Sequence, residues 1–196
     1  MNTETVHTKN ATWRDYLDLC KPRVITLLVI TAMVGVVLAS PPGELSLFIL
    51  IVSSIGIGLG SAAGAAINQL VERETDAEMA RTENRPLPQG RVDQQHAFVF
   101  ALLLAASSVF ILTAWINVLT AVLTFASMIG YAVIYTMYLK KATPQNIVIG
   151  GLAGAMPPLL GWVYVTNSID PQGLLLVLII YTWTPPHFWA LAIHRR

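Results

Sequence analysis

Cysteine is all but missing from this chain: Cys20 stands alone among 196 residues, which excludes an intrachain disulfide and leaves no partner at metal-ligand spacing. Charge is scarce as well, at 12% of residues, and the two signs nearly cancel to a net +1. A nucleic-acid surface needs a concentrated basic excess, so that class of partner is excluded. The first 23 residues hold no uninterrupted apolar run and are not rich in Arg and Ser, so neither a cleaved secretory leader nor an organellar transit peptide is expected. Ten-residue stretches of strict apolar–polar alternation are also lacking, which argues against a β-barrel.

What the chain does have is apolar length. Hydrophobic residues make up 55% of it and its mean hydropathy is +0.61, the composition of a polytopic membrane protein. Hydropathy places six spans, at about residues 24–39, 45–67, 97–116, 118–139, 147–165 and 173–193. The expected fold class is therefore all-α, a transmembrane helical bundle spanning residues 24–196 behind a cytoplasmic segment of residues 1–23. All 12 basic residues lie before the first span, between spans 2 and 3, between 4 and 5, or after 6. Because Lys and Arg in short loops stay on the cytoplasmic side, both termini are expected there, in a bacterial cytoplasmic (inner) membrane.

Residues 68–91, NQLVERETDAEMARTENRPLPQGR, break this pattern with five acids and four arginines between two apolar runs. Gly56, Gly60 and Gly64 recur every four residues in the second span, and small residues at that spacing let helices approach closely. The same spacing continues as Asn68, Glu72 and Asp76. Each step of four drifts by about 40° on a straight helix, so the amide and both carboxylates fall within a sector of about 80°. Like charges one turn apart repel. Two carboxylates on adjacent turns are hard oxygen donors of the kind Mg²⁺ takes when water and substrate phosphates complete its shell. Arg81 and Arg85 follow at once and suit phosphate oxygens. A solvated charged loop is the plain alternative.

Three other stretches admit two readings each. Lys140 and Lys141 in YLKKATPQN are topology determinants, or else cations facing a diphosphate leaving group. Lys21 and Arg23 in CKPRV pose the same choice. In YTWTPPHFW, Pro185 and Pro186 are expected to break the helix at membrane depth. His187, just beyond, is either satisfied by a freed carbonyl or an intramembrane functional group.

Taken with YLKKATPQNIVIGGLAGAMPPLLGW and YTWTPPHFWALAIHRR, the run NQLVERETDAEMARTENRPLPQGR resembles the N-x-x-x-D-x-x-x-D…M-x-R-T-x-x-R-P pattern of the protohaem IX farnesyltransferase family, within the intramembrane aromatic prenyltransferases. The resemblance covers the chain from its first span onward. It implies transfer of a farnesyl group from farnesyl diphosphate to the vinyl group of haem b, giving haem O. Mg²⁺ would be held by Asn68, Glu72 and Asp76, and the diphosphate by Arg81, Arg85, Lys140, Lys141, Lys21 and Arg23. His187, Tyr138 and Trp183 are the candidates for holding haem or shielding the allylic cation, with Tyr135 a further aromatic guess. The resemblance also points to terminal-oxidase assembly or haem-modifying enzymes as partners. Glu72 stands where the pattern most often has Asp. Members have nine spans and a second acidic motif after the sixth, whereas no acid follows Asp170 here; by the resemblance, six spans of an expected nine are present, the domain is incomplete at its C-terminal side, and this piece alone is not expected to be active. A prenyltransferase acting on a quinone precursor, and a membrane transporter or scaffold, are the competing readings. The TPPHFW block argues against the first and the lack of an inverted half-repeat against the second.

Overall fold

The computed structural model describes residues 11–143 and 145–194, and every regular element among them is helical. Among the described residues, six stretches are long and apolar enough to cross a membrane: Pro22–Ala39, Leu47–Glu78, Gln94–Trp115, Val118–Leu139, Asn146–Thr166 and Pro171–Ala190. Each overlaps one expected span.

Helix α1 (Trp13–Leu19) precedes them. It starts where Asp15 Oδ2 accepts from both the Thr12 backbone N–H, at 2.9 Å, and the Thr12 hydroxyl, at 2.7 Å, satisfying groups that a helix start otherwise leaves orphaned. Lys21 then takes a left-handed backbone, φ 53° and ψ 63°, a conformation costing a non-glycine residue on the order of 1 kcal/mol. It turns the chain into α2 (Pro22–Ala39), whose first position is a proline that needs no N–H there.

Helix α3 (Leu47–Glu78) runs unbroken for 32 residues, about 48 Å at 1.5 Å per residue. A bilayer core of about 30 Å takes up only some 20 of those residues. The last three turns, from Asn68 on, therefore extend past the apolar layer. The expected span ended at residue 67 because hydropathy ends there; the helix does not, since Glu, Arg and Ala are good helix formers.

Helix α4 (Gln94–Trp115) is capped by the Asp93 side chain, and α5 (Val118–Ile129) by Asn117. Continuing α5, residues Gly130–Leu139 form a π-helical segment, π1, before the short α6 (Lys140–Ala142). The fifth span is divided just before Pro157 and Pro158: α7 (Asn146–Ala155) and α8 (Pro157–Thr166) meet at Met156. In contrast, α9 (Pro171–His194) keeps a continuous helical course through Pro185 and Pro186, which corrects the expectation of a break there. The two prolines withhold two N–H groups, a loss an apolar helix tolerates by local adjustment. Around them the Thr182 and Thr184 hydroxyls donate to carbonyls four residues back, each at 2.8 Å.

The core is built from small side chains at helix crossings. Ala63, Ala105 and Met128 pack together, as do Ile57, Leu112, Ala121 and Leu160. Helices α2 and α8 meet backbone to backbone: a Cβ on Gly35 would overlap the Pro158 carbonyl, and one on Gly161 the Ala32 carbonyl. Large apolar side chains such as Leu103, Phe110 and Ile179 stay exposed on the outside, as a lipid-facing surface requires.

Candidate active site

The end of α3 that leaves the apolar layer brings the ladder residues against three different parts of the chain. Asn68 is buried, and its Oδ1 accepts from Lys21 Nζ at 2.6 Å. One turn on, Glu72 Oε1 accepts from Lys140 Nζ at 2.7 Å. A further turn on, the buried Asp76 carboxylate is ion-paired with Arg85. Each member of the ladder thus meets a cation nominated from sequence, and each cation comes from a separate segment.

The loop after α3 is folded back to make the last of these pairs. The Thr82 hydroxyl donates to the Asp76 backbone carbonyl at 3.0 Å, while Pro86, Leu87 and Val92 are buried beneath it. Arg91 reaches across to α1, with Nη1 at 2.6 Å from Asp15 Oδ1, and its Nη2 donates to the Asn84 carbonyl at 2.7 Å. The Thr12 hydrogen bonds, then the Arg91 charge, hold the Asp15 carboxyl below its usual pKa. Gln69, also buried, donates from Nε2 to the carbonyls of Asp18 and Leu19 at 2.9 and 3.2 Å. That bond ties the end of α1, and with it the Lys21 turn, to the ladder helix.

Lys21 lies among charges of both signs. Burial is the main cause that pushes its pKa down to about 8, helped by Arg85 and opposed by Glu72 and Asp76. Beneath its ammonium opens a cavity of about 740 Å³, mouth included, between α2, α3, α5, π1 and α7–α8. Its walls are apolar, with Ile25, Leu28, Met128, Tyr131 and Leu160 prominent among them. The hydroxyls of Thr124 and Ser127, which also line it, have no hydrogen-bond partner among the described residues. A second, more open hollow lies on the other side of Ser127, Ala153 and Met156. Lys21 on the wall of an apolar chamber, with Arg85 and Lys140 close enough to act on its charge, suits an amphiphile with an anionic head and a hydrocarbon tail.

The donors fit a hard divalent cation of modest protein coordination. Asn68, Glu72 and Asp76 offer an amide oxygen and two carboxylates on successive turns, and no group of three His, Cys, Asp or Glu converges among the described residues. Two carboxylates are what Mg²⁺ takes when phosphate and water supply the rest.

The remaining sequence candidates are placed elsewhere. Arg81 and Arg23 are exposed. The side chain of Lys141 lies outside the described residues. Tyr138 is exposed. Trp183 and His187 are exposed on α9, where their rings stack at 4.4 Å between centroids with 19° between planes. None of these three lines either cavity. Sequence reasoning missed Tyr131, which faces the main cavity, and Thr136, whose Oγ1 accepts from Asn68 Nδ2 at 3.1 Å. Nothing in the sequence marks Thr136: that residues 136 and 140 answer residues 68 and 72 at the same offset of 68 reflects two parallel spans in register, which only the structure shows.

Residues 28–196 match the UbiA prenyltransferase family. The chain is 62% identical over 188 residues to a protein of Idiomarina loihiensis named protoheme IX farnesyltransferase, covering 96% of this chain and 63% of that protein. It is 59% identical over 189 residues to the protein of the same name from Hahella chejuensis, with 96% and 63% coverage. With the one from Legionella pneumophila strain Corby, identity is 55% over 195 residues, covering 100% and 66%. The chain therefore spans about 63% of the length of the first of these relatives. Its fold is that of a UbiA homolog from Archaeoglobus fulgidus solved with DMAPP and Mg²⁺, with a TM-score of 0.74 at 19% identity over 88% of this chain and 62% of that one. The same homolog bound to GPP and Mg²⁺ gives a TM-score of 0.67.

Proposed function

This chain belongs to the UbiA prenyltransferase family, and from that premise we propose that it transfers a farnesyl group from farnesyl diphosphate to the vinyl group of protohaem IX, forming haem O. The observation that carries the proposal is the stack of three ion-paired or hydrogen-bonded contacts, Lys21–Asn68, Lys140–Glu72 and Arg85–Asp76, over an apolar cavity. The names of the relatives supply the acceptor.

In this reading Lys21, Arg85 and Lys140 take the diphosphate oxygens, with Arg81, Lys141 and Arg23 as further candidate cations. Asn68, Glu72 and Asp76 hold Mg²⁺, which supplies Lewis-acid stabilisation of the departing diphosphate. The farnesyl chain lies in the cavity, whose apolar walls keep water from the allylic carbon. As the C1–O bond breaks, its electron pair leaves with the diphosphate, and the three fixed cations meet the charge where it develops. Tyr131, which lines the cavity, is the aromatic ring available to shield the resulting allylic cation. The vinyl π electrons of haem attack that cation, and water adds to the new cation and loses a proton, giving the hydroxyethylfarnesyl group. His187, Trp183 and Tyr138 fall to the acceptor side. The protein is a multi-pass membrane protein; we place it in the bacterial inner membrane with residues 1–23 cytoplasmic, serving enzymes that modify haem or assemble terminal oxidases.

The test is direct. Intact protein in membranes is given farnesyl diphosphate, haem b and Mg²⁺, and the haem products are separated by mass. Haem O is expected, and it should disappear with EDTA and in Asp76→Asn. Farnesylation of an aromatic acid in place of haem, or wild-type turnover by Asp76→Asn, defeats the reading.

A further inference from the structure

The amide of Asn68 can be oriented in one way only if its neighbours are to be satisfied. Lys21 Nζ has protons to give and no lone pair to offer, so the edge of Asn68 that meets it at 2.6 Å must be the carbonyl oxygen. The NH₂ group then faces Thr136 Oγ1 at 3.1 Å. A hydroxyl can accept there if its own proton points elsewhere, and this one donates to the Tyr131 carbonyl at 2.8 Å. That carbonyl lies five residues back, the hydrogen-bonding step of a π-helix, and Thr136 sits in the middle of π1 (Gly130–Leu139). The wide turn thus directs the hydroxyl proton, and through it the lone pair offered to Asn68.

We infer that Thr136 is a positioning residue for the diphosphate–Mg²⁺ site: by accepting from Asn68 Nδ2 it holds Asn68 Oδ1 on the side of Lys21, where the amide presents oxygen and not NH₂. The inference rests on the proposed role of Asn68. Thr136 is itself only 2% exposed and is absent from the lining of both cavities, so it acts through Asn68. Groups that orient a metal ligand in this way typically affect metal affinity by about 10- to 100-fold.

The test compares Thr136→Val, which keeps the shape and removes the hydroxyl, with Thr136→Ser, which keeps the hydroxyl. Binding of inorganic pyrophosphate to the intact protein in nanodiscs is titrated against Mg²⁺, alongside the Mg²⁺ dependence of transfer. Thr136→Val should raise the Mg²⁺ concentration for half-maximal pyrophosphate binding about 10-fold or more, with the loss in transfer recovered at high Mg²⁺. Thr136→Ser should stay within about threefold of wild type. Wild-type behaviour of Thr136→Val overturns the inference, and so does an equal loss in Thr136→Ser, which would mark a packing effect. If Thr136→Val does not fold, Thr136→Ala is judged by the same criteria. Asn68→Ala separates the two levels: normal Mg²⁺-dependent binding by that variant removes the role of Asn68 itself, whereas its failure beside a normal Thr136→Val removes only the positioning by Thr136.

Discussion

The end of α3 and the end of α9 both place ionisable side chains at the edge of an apolar helix, and they are treated very differently. On α3, Asn68, Glu72 and Asp76 each meet a partner from another segment of the chain. On α9, His187 stacks on Trp183 and packs edge-on to Phe188, all three from its own helix and all exposed. A charge near a membrane is expensive, so a ladder whose every rung is answered from elsewhere is a built arrangement. An aromatic face without such answers leaves its role to whatever covers it. The first region is organised by this chain's own contacts; the second is organised only along one helix.

Four experiments break or sharpen that contrast, beginning with the largest effect. Lys21→Met removes the cation nearest the cavity and leaves Asn68 Oδ1 buried without its donor. A fall of about 100-fold in kcat/KM for farnesyl diphosphate is expected, comparable with losing one preorganised donor at a developing anion. Glu72 and Lys140 form a partly exposed pair, 41% exposed at the lysine, but Glu72 is also assigned to Mg²⁺, so Glu72→Lys should cost on the order of 10- to 100-fold and the double exchange Glu72→Lys with Lys140→Glu should not return it. Recovery in the double exchange would show that Glu72 acts through its pairing and not through the metal. On α9, Trp183→Ala and His187→Ala should shift thermal stability by no more than about 0.5 kcal/mol, as exposed positions do. Their kinetic effect is expected in KM for haem, with KM for farnesyl diphosphate unmoved; the opposite split would move them to the diphosphate side.

The smallest effect concerns the Asp15–Arg91 bridge that pins the Arg85 loop to α1. The folded pKa of Asp15 is depressed, so the unfolded chain takes up its proton first as pH falls. The stability it contributes is present in full above its ordinary value near 3.8 and is lost as pH drops through the lower folded value. Asp15→Asn should therefore melt earlier than wild type at neutral pH, and the gap should narrow as pH is lowered below about 4. A pH-independent gap would show that the carboxylate charge does nothing there.

Much of this arrangement was legible in the sequence because membranes make hydropathy and charge speak loudly. All six spans overlap their expected positions, and the step of four from Asn68 through Asp76 correctly put three polar groups on one side of one helix. The end of α3 was not legible as a length, since hydropathy stops at Ile67 while helix propensity does not. Nor were the pairings of Glu72 with Lys140 and of Asn68 with Thr136. Contacts 68 residues apart in sequence depend on the relative height of two spans, which no local pattern encodes. The π-helical turn has no local signature, and the Pro-Pro pair of α9 does not end its helix, because an apolar environment keeps a helix together through losses that water would exploit.

One contact has a bearing on how the molecule comes to be made. The notch at Gly35 in the first span is filled by the backbone at Pro158, and that at Gly161 by Ala32. Roughly 120 residues separate the two faces, so at ribosomal speeds the first span waits about 6 to 25 seconds for the partner it fits. During that interval it rests in lipid with a groove that no acyl chain matches as well as a polypeptide backbone. The closing of Gly35 onto the fifth span must then follow the making of that span, so α2 and α8, which each give residues to the chamber beneath Lys21, come together late.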